Sequence, residues 1–368
     1  MPAPKHYVFA LEVERVEDAA RFGRRDVPPG QLEPLRAQIR FQALREGRIE
    51  PEDPAVDAQI EPVFHGDAED EISALRLSLR GAGGGIVQSF GLDAFDPFGD
   101  QLAGELLKSR HLAADDKIRY RVFAGSGGSN HAIPATVARV RQQPLPLLPG
   151  RLADFLPLAE PVGPVDERDY PVFVLNQTVE QARSVAWKGR DLEGGVWMIG
   201  NLFRQADPSP EIFCLIHAVI DAKWAAHERF SIDLSPETYT YRDAQLERRR
   251  KRFGRVGELV CGMFHTHPFM PSVLDNREAC PRCPLRPTCD LSSSFFSKRD
   301  AAFHRANFGR APYAVEMVLG LSPREEFDLN MFCPDGGGFR RRGYYQLPEI
   351  PAGVLDAPNL QPTRSQSS

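Results

Sequence analysis

The chain has 368 residues, 42% of them hydrophobic and 26% charged, with 45 basic against 50 acidic side chains and a formal net charge of -5. That length and apolar content fit two domains of ordinary size with real cores, and exclude both a disordered tail and a disulfide-stapled miniprotein. The mild acidity argues against a surface built throughout to hold nucleic acid or anionic membrane, and no stretch approaches the ~20 unbroken apolar residues of a membrane span.

The start, Met1 to His6, lacks the basic-then-apolar pattern of a signal peptide, so a cytoplasmic protein is expected. Only seven of the 45 basic residues are lysine, a skew that fits the coding bias of a GC-rich bacterial genome.

Residues 1–132 read as a small α+β domain of unidentified type. Phe9, Leu11 and Val13 alternate with Ala10, Glu12 and Glu14; Leu75, Leu77 and Leu79 alternate with Arg76, Ser78 and Arg80; Ile118, Tyr120 and Val122 alternate with Arg119 and Arg121. A period of two predicts half-buried strands. Gln31 to Glu46 and Asp100 to Leu112 read as helices between them. The glycine-rich stretches Gly81 to Gly85 and Gly125 to Asn130 complete neither a Gly-Lys-Ser/Thr nor a G-x-G-x-x-G pattern, and read as turns.

Residues 133–171 carry prolines at 144, 146, 149, 157, 161 and 164, which oppose regular structure and predict a linker. The second domain is expected over 172–348. Thr178 as N-cap, with Gln181 three residues on, opens a helix with Val179, Ala182, Val185 and Ala186 on one face. Strand-like runs follow at 196–203, 212–220, 259–264, 313–319 and 329–332, and Ser235-Pro236 opens a further helix. That helix carries a basic run, Arg248 to Arg252, read as a solvated face. Residues 349–368 read as a disordered tail. His217, on an apolar strand, reads as a satisfied core histidine, and Trp187, Trp197 and Trp224 as core or surface anchors.

The segment Leu259-Val-Cys-Gly-Met-Phe-His265-Thr-His267-Pro268 carries the most chemistry. Residues two apart on a strand share a face, so His265 and His267 can offer both imidazoles to one metal ion before Pro268 stops the strand. Downstream, Ser297-Lys-Arg-Asp300 supplies a hydroxyl and a carboxylate that could complete a His-His-Asp set. Upstream, Asp191-Leu-Glu193-Gly-Gly puts a glutamate at the mouth of an apolar strand.

In that order, Glu193, His-x-His-Pro and Ser-x-x-Asp resemble the JAMM (MPN+) zinc metalloprotease family, over about half the chain. The resemblance implies an MPN, cytidine-deaminase-like α/β fold. It further implies zinc held by His265, His267 and Asp300, Glu193 activating the nucleophilic water, and Ser297 donating a hydrogen bond to the tetrahedral intermediate. The family spacing of seven residues after the second histidine would put serine at 275 and aspartate at 278, where this chain has Asp275 and Glu278. An insertion of 22 residues, the distance from 275 to 297, is therefore expected. Ser272-Val-Leu-Asp275 is a rival Ser-x-x-Asp without an insertion, so Asp300 and Asp275 compete as the third ligand.

The insertion, about 269–292, contains Cys280-Pro-Arg-Cys283-Pro-Leu-Arg-Pro-Thr-Cys289. Short spacing and proline preorient thiolates around one ion, so a second structural Zn2+ or a [4Fe-4S] cluster is expected. The spacing also resembles the iron-sulfur element of RecB-type nucleases. The fourth ligand stays open among Cys333, Cys261, His304 and a non-protein group.

The resemblance thus implies a zinc isopeptidase or peptidase acting after the C-terminal tail of a ubiquitin-like protein, in deconjugation or precursor processing, and the coding bias of a GC-rich bacterial source fits a bacterial ubiquitin-like pathway as its setting. The ubiquitin-like protein, its conjugates and conjugation enzymes would be the partners, the last through the N-terminal domain. The alternatives are a catalytically idle MPN-type scaffold and, third, a protein that binds or processes nucleic acid. Nucleic acid and membrane are not expected as partners.

Overall fold

The computed structural model describes residues 7–51, 53, 58–66, 70–81, 83–126, 145–186, 192–228, 231–254, 257–268, 284, 292–322 and 326–355. They fall into two compact units, one running to Pro144 with the short segments Gly309–Pro312 and Pro334–Gly338, the other made of the remainder from Leu145.

In chain order the first unit carries β1 (Tyr7–Arg15), β2 (Arg21–Asp26), α1 (Glu33–Arg45), β3 (Gln59–Phe64), β4 (Ile72–Gly81), β5 (Gly84–Phe90), α2 (Asp96–Lys108) and β6 (Ile118–Ser126). Two three-stranded antiparallel sheets result, β2-β1-β6 and β3-β4-β5. The glycine-rich turn after Leu79 is the hairpin between β4 and β5, with Gly81 paired to Gly84. The second glycine-rich stretch is described only to Ser126.

The alternation of β1 is real, but its polar face is not open to water. Glu12 and Glu14 are buried, Glu14 against Arg119 and Arg21, and Glu12 3.4 Å from Arg121. Buried carboxylates persist because cations of β2 and β6 accompany them. Helix α2 starts four residues before Asp100, since Pro97 fits the first helical turn, where its missing N–H costs nothing.

The second unit carries, in order, β7 (Leu147–Pro149), α3 (Leu152–Phe155), β8 (Glu160–Val162), β9 (Val172–Leu175), α4 (Asn176–Ala186), β10 (Gly195–Gln205), β11 (Glu211–Asp221), β12 (Ala226–His227), β13 (Ile232–Asp233) and α5 (Pro236–Phe253). It continues with β14 (Leu259–Thr266), α6 (Lys298–Phe308), β15 (Val315–Leu321), β16 (Phe327–Asp335), β17 (Gly338–Arg342) and β18 (Tyr344–Leu347). One mixed sheet runs β17-β16-β15-β14-β10-β11-β9-β18-β8, with β7 added beside β10. This is a mixed α+β architecture. Its central strands are buried along nearly their whole length, which is why they read as apolar runs rather than alternations. Helix α4 packs on β10, β11 and β14.

Three expectations differ from what is observed here. Thr178 is not a cap: β9 passes directly into α4 at Asn176, leaving Thr178 buried within the first turn. The proline-rich stretch expected to be a linker lies outside the described residues up to 144, but from Leu145 it belongs to this unit. There β7 pairs with β10, β8 with β18, and Phe155 packs 5.0 Å from both Phe173 and Phe213. Pro149, Pro157 and Pro161 sit at a strand end, in a short 3-10 turn and on an edge strand, where a lost N–H is tolerated. Ile350, Val354 and Leu355, at the start of the expected tail, pack against the same aromatic cluster. Apolar residues there bury surface that a disordered tail would leave in water.

The basic run divides. Arg249 forks onto buried Glu258 at 2.9 and 3.1 Å, and Arg250 donates to the Glu258 carbonyl, whereas Arg248, Lys251 and Arg252 face solvent. His217 is the expected satisfied core histidine, 2.9 Å from the Asn201 side-chain oxygen. Trp197 is fully buried and Trp224 exposed, while Trp187 lies outside the described residues. No helix among the described residues is long and apolar enough to cross a membrane.

Candidate metal centre

Strand β14 ends in His265-Thr266, with His267 directly after it, between β10 on one side and β15 on the other. Gly195 of β10 pairs with His265, and the ladder continues past the strand end as Thr266 donates to the Gly194 carbonyl at 2.8 Å. Two residues further along the same register, Glu193 falls opposite His267. Its Oε1 stands 3.8 Å from His267 Nε2.

Gly194 is required by this arrangement, because a Cβ there would lie 1.9 Å from the Ala186 carbonyl at the end of α4. The Glu193 backbone is also held from the far side, its N–H donating to Glu228 O and its carbonyl 2.8 Å from His227 Nδ1.

Asp300 arrives from α6. Ser297 Oγ accepts the Asp300 N–H at 3.1 Å while the Asp300 carboxylate accepts the Ser297 N–H at 2.7 Å, a reciprocal capping box that fixes the first turn. The cap leaves the Ser297 hydroxyl hydrogen free to donate elsewhere. Asp300 Oδ1 is then 3.4 Å from His265 Nε2, and Oδ2 is 3.5 Å from His267 Nε2.

These three side chains bring one donor atom each within 4.8 Å of one another. Both Nε2 atoms are buried and make no hydrogen bond of good geometry. Two ligand atoms each about 2.05 Å from a tetrahedral ion stand roughly 3.4 Å apart, so the observed nitrogen-to-oxygen spacings are those of a ligand set. The donors fit a metal ion such as zinc.

The electrostatics agree with that reading. Burial pushes the Asp300 carboxyl up, but His265 and then His267 outweigh it and hold the group well below the usual carboxylate range. His267 is pushed down by burial and raised more by Asp300 and Glu193, for a net upward shift. Glu193 is pushed up to about 7, chiefly by burial, with the Asp300 charge adding to it and His267 opposing. A carboxyl that titrates near neutrality and faces the cluster is a candidate proton carrier.

Each imidazole is also held from behind. His267 Nδ1 lies 2.9 Å from the Ser293 carbonyl, which can only accept, so Nδ1 carries a hydrogen and the neutral ring offers the Nε2 lone pair on the Asp300 side. Ser293 is itself locked to the sheet, donating to His267 O and accepting the Leu321 N–H. Behind His265 stands Glu316 of β15, with Oε2 3.8 Å from Nδ1.

The expected residues Glu193, His265, His267, Ser297 and Asp300 therefore lie together. Asp275, the rival ligand, and Cys280, Cys283 and Cys289 lie outside the described residues. Of the groups considered as a fourth cysteine-site ligand, Cys261 and Cys333 are buried in the sheet and His304 is bonded to Glu316 at 2.9 Å. Sequence reasoning missed Ser293 and Glu316. Ser293 acts through its carbonyl and carries no side-chain signal, whereas Glu316 is the one acid in the apolar run Val315–Leu321.

No family model and no curated protein matches the chain. Among solved structures it is similar to protein DSY2949 from Desulfitobacterium hafniense, a solution structure, at 14% identity and a TM-score of 0.31, over 50% of this chain and 97% of that one. A likeness at that score carries no argument about fold or function. What the chain itself presents is a buried His265-His267-Asp300 cluster able to hold a metal ion, a basis for metal-dependent catalysis.

Proposed function

We propose that the second unit is an MPN-type domain and the chain a JAMM-type zinc isopeptidase or peptidase. Its substrate in this reading is the bond after the glycine-ended C-terminal tail of a ubiquitin-like protein, either in a conjugate or in a precursor. The observation that carries the reading is the convergence of two orphaned imidazole nitrogens, the Asp300 carboxylate and the near-neutral carboxyl of Glu193.

Zinc held by His265, His267 and Asp300 would lower the pKa of water to ~7 and polarise the scissile carbonyl. Glu193, whose Oε1 faces the cluster 3.8 Å from His267 Nε2, takes the proton from the attacking water and passes it to the leaving amine as the C–N bond breaks. Ser297, with its hydroxyl hydrogen uncommitted by the cap, donates to the developing oxyanion. The first unit recognises the target, the modifier or a conjugation enzyme. Cys280, Cys283 and Cys289 hold a second, structural metal or a [4Fe-4S] cluster in the stretch of sequence between the two halves of the motif.

The test is cleavage by the full-length, zinc-supplemented protein of bacterial ubiquitin-like proteins bearing a short extension after their terminal glycine. Wild type should release the extension after the glycine. Glu193→Gln should keep its zinc and lose at least about 100-fold in rate, the scale of general acid–base catalysis. Undiminished cleavage by the zinc-loaded glutamine variant would remove the mechanism.

A further inference from the structure

Glu316 and His304 form a buried pair that the proposed reaction does not use. Glu316 is among the most buried acids of the described residues, at 1% exposure, in a strand that is otherwise apolar. Its Oε1 lies 2.9 Å from His304 Nδ1. Its Oε2 is buried and makes no hydrogen bond of good geometry; the Met263 backbone also reaches the carboxyl, and the nearby imidazole is that of His265, 3.8 Å away at Nδ1. A carboxylate oxygen left so is costly unless something compensates it.

The placement follows from two registers. In the parallel ladder of β14 and β15, Met263 pairs with Glu316 and His265 with Val318. Glu316 is therefore the diagonal neighbour of His265 on the same face, within reach of a long side chain. On α6, Asp300 and His304 are four residues apart and share one helix face. Helix and sheet thus meet through two contacts one turn apart, Asp300 over His265 and His304 over Glu316.

His265 consequently has Nε2 turned toward Asp300 and Nδ1 turned toward Glu316, on opposite sides of its ring. His267 has the same layout, with the Ser293 carbonyl behind it. We propose that Glu316, anchored by His304, is the positioning carboxylate of the metal site: it orients His265 from behind and, through His304, fixes the turn of α6 that presents Asp300. A carboxylate behind a ligating histidine fixes the ring and its tautomer and makes Nε2 a better donor, and losing such a partner typically weakens metal binding by about 10- to 100-fold.

This inference rests on the metal-site reading above, and the experiment separates the two. Zinc affinity of the full chain is measured by competition with a chromophoric chelator for wild type, His265→Ala, Glu316→Gln, Glu316→Met and His304→Phe, each with a thermal melt of the metal-free form. We expect about 10- to 100-fold weaker zinc binding in both Glu316 variants, and a smaller loss in His304→Phe. Glu316→Met leaves the buried His304 Nδ1 without its partner and should melt lower in the metal-free form, whereas Glu316→Gln, which keeps an acceptor toward His304, should melt near wild type while binding zinc more weakly. That combination, weaker zinc without a weaker fold, is one that a purely structural residue would not show.

Unchanged zinc affinity in both Glu316 variants, with binding still dependent on His265, would overturn the inference and leave the metal site standing. Zinc binding indifferent to His265→Ala would remove both. Should Glu316→Met fail to fold, Glu316→Gln, which keeps the shape and one acceptor, decides the matter alone.

Discussion

Glu193 shows how one side chain ties the site to the fold's stability. Its carboxyl titrates near 4.5 in an open chain and about 7 in the folded, metal-free protein, chiefly because burial disfavours the charge. The folded state therefore binds its proton more tightly. The contribution of this group is fully present below about pH 4.5 and is lost as pH rises through 7, where a desolvated charge must be carried. Glu193→Gln should stabilise the chelator-treated protein by up to about 3 kcal/mol near pH 8 and by almost nothing near pH 4, since each tenfold difference in proton affinity between the folded and open chain is worth about 1.4 kcal/mol. Thermal melts across that range check it, and parallel profiles for the two proteins would contradict it. Most of the site was legible at this scale, because His-x-His, Ser-x-x-Asp and a glutamate ahead of an apolar strand are side-chain signals. Ser293 was not, since a backbone carbonyl has no signature in the sequence.

At the scale of elements, the site depends on how two strands and one helix start or stop. Ser297 is both the cap of α6 and a candidate oxyanion donor. Ser297→Ala should cost about 1 kcal/mol in urea unfolding for the lost cap and, separately, about 100-fold in turnover for the lost donor. A variant that loses stability alone would confine the residue to capping. Gly262 joins β14 to β15 at φ +137°, where a Cβ would lie 1.7 Å from the Val315 carbonyl. Gly262→Ala should lower stability by more than about 3 kcal/mol and take the histidines out of register, read as loss of zinc binding together with a lowered melting temperature.

Element boundaries were less legible than residues. The buried strands β10, β11, β14, β15 and β16 were found from their apolar runs, but the equally buried β9 was missed because four residues are too short a run. Strands β2, β3 and β5 passed unrecognised because β2 is mostly polar, β3 is interrupted by Pro62 and β5 opens on glycines. Glu316 matters only once the β14–β15 register is known, which strand patterns do not contain.

At the scale of the molecule, composition indicated real cores and no membrane helix, and the prolines misled. A proline-dense stretch read as a linker contributes Leu148 and Phe155 to the second unit's core from Leu145 onward. The aromatic partners of Phe155 come from 173, 203 and 213, far along the chain, so no local window could have shown that it is buried.

The most direct test of the account is the metal content of full-length, anaerobically purified protein. Wild type, His265→Ala and Cys283→Ala are compared by elemental analysis with a visible spectrum. The account predicts about one zinc per chain lost in the histidine variant and kept in the cysteine variant, with a second metal, zinc or iron, lost only in the cysteine variant. A wild-type protein whose metal content does not change on loss of His265 would contradict it.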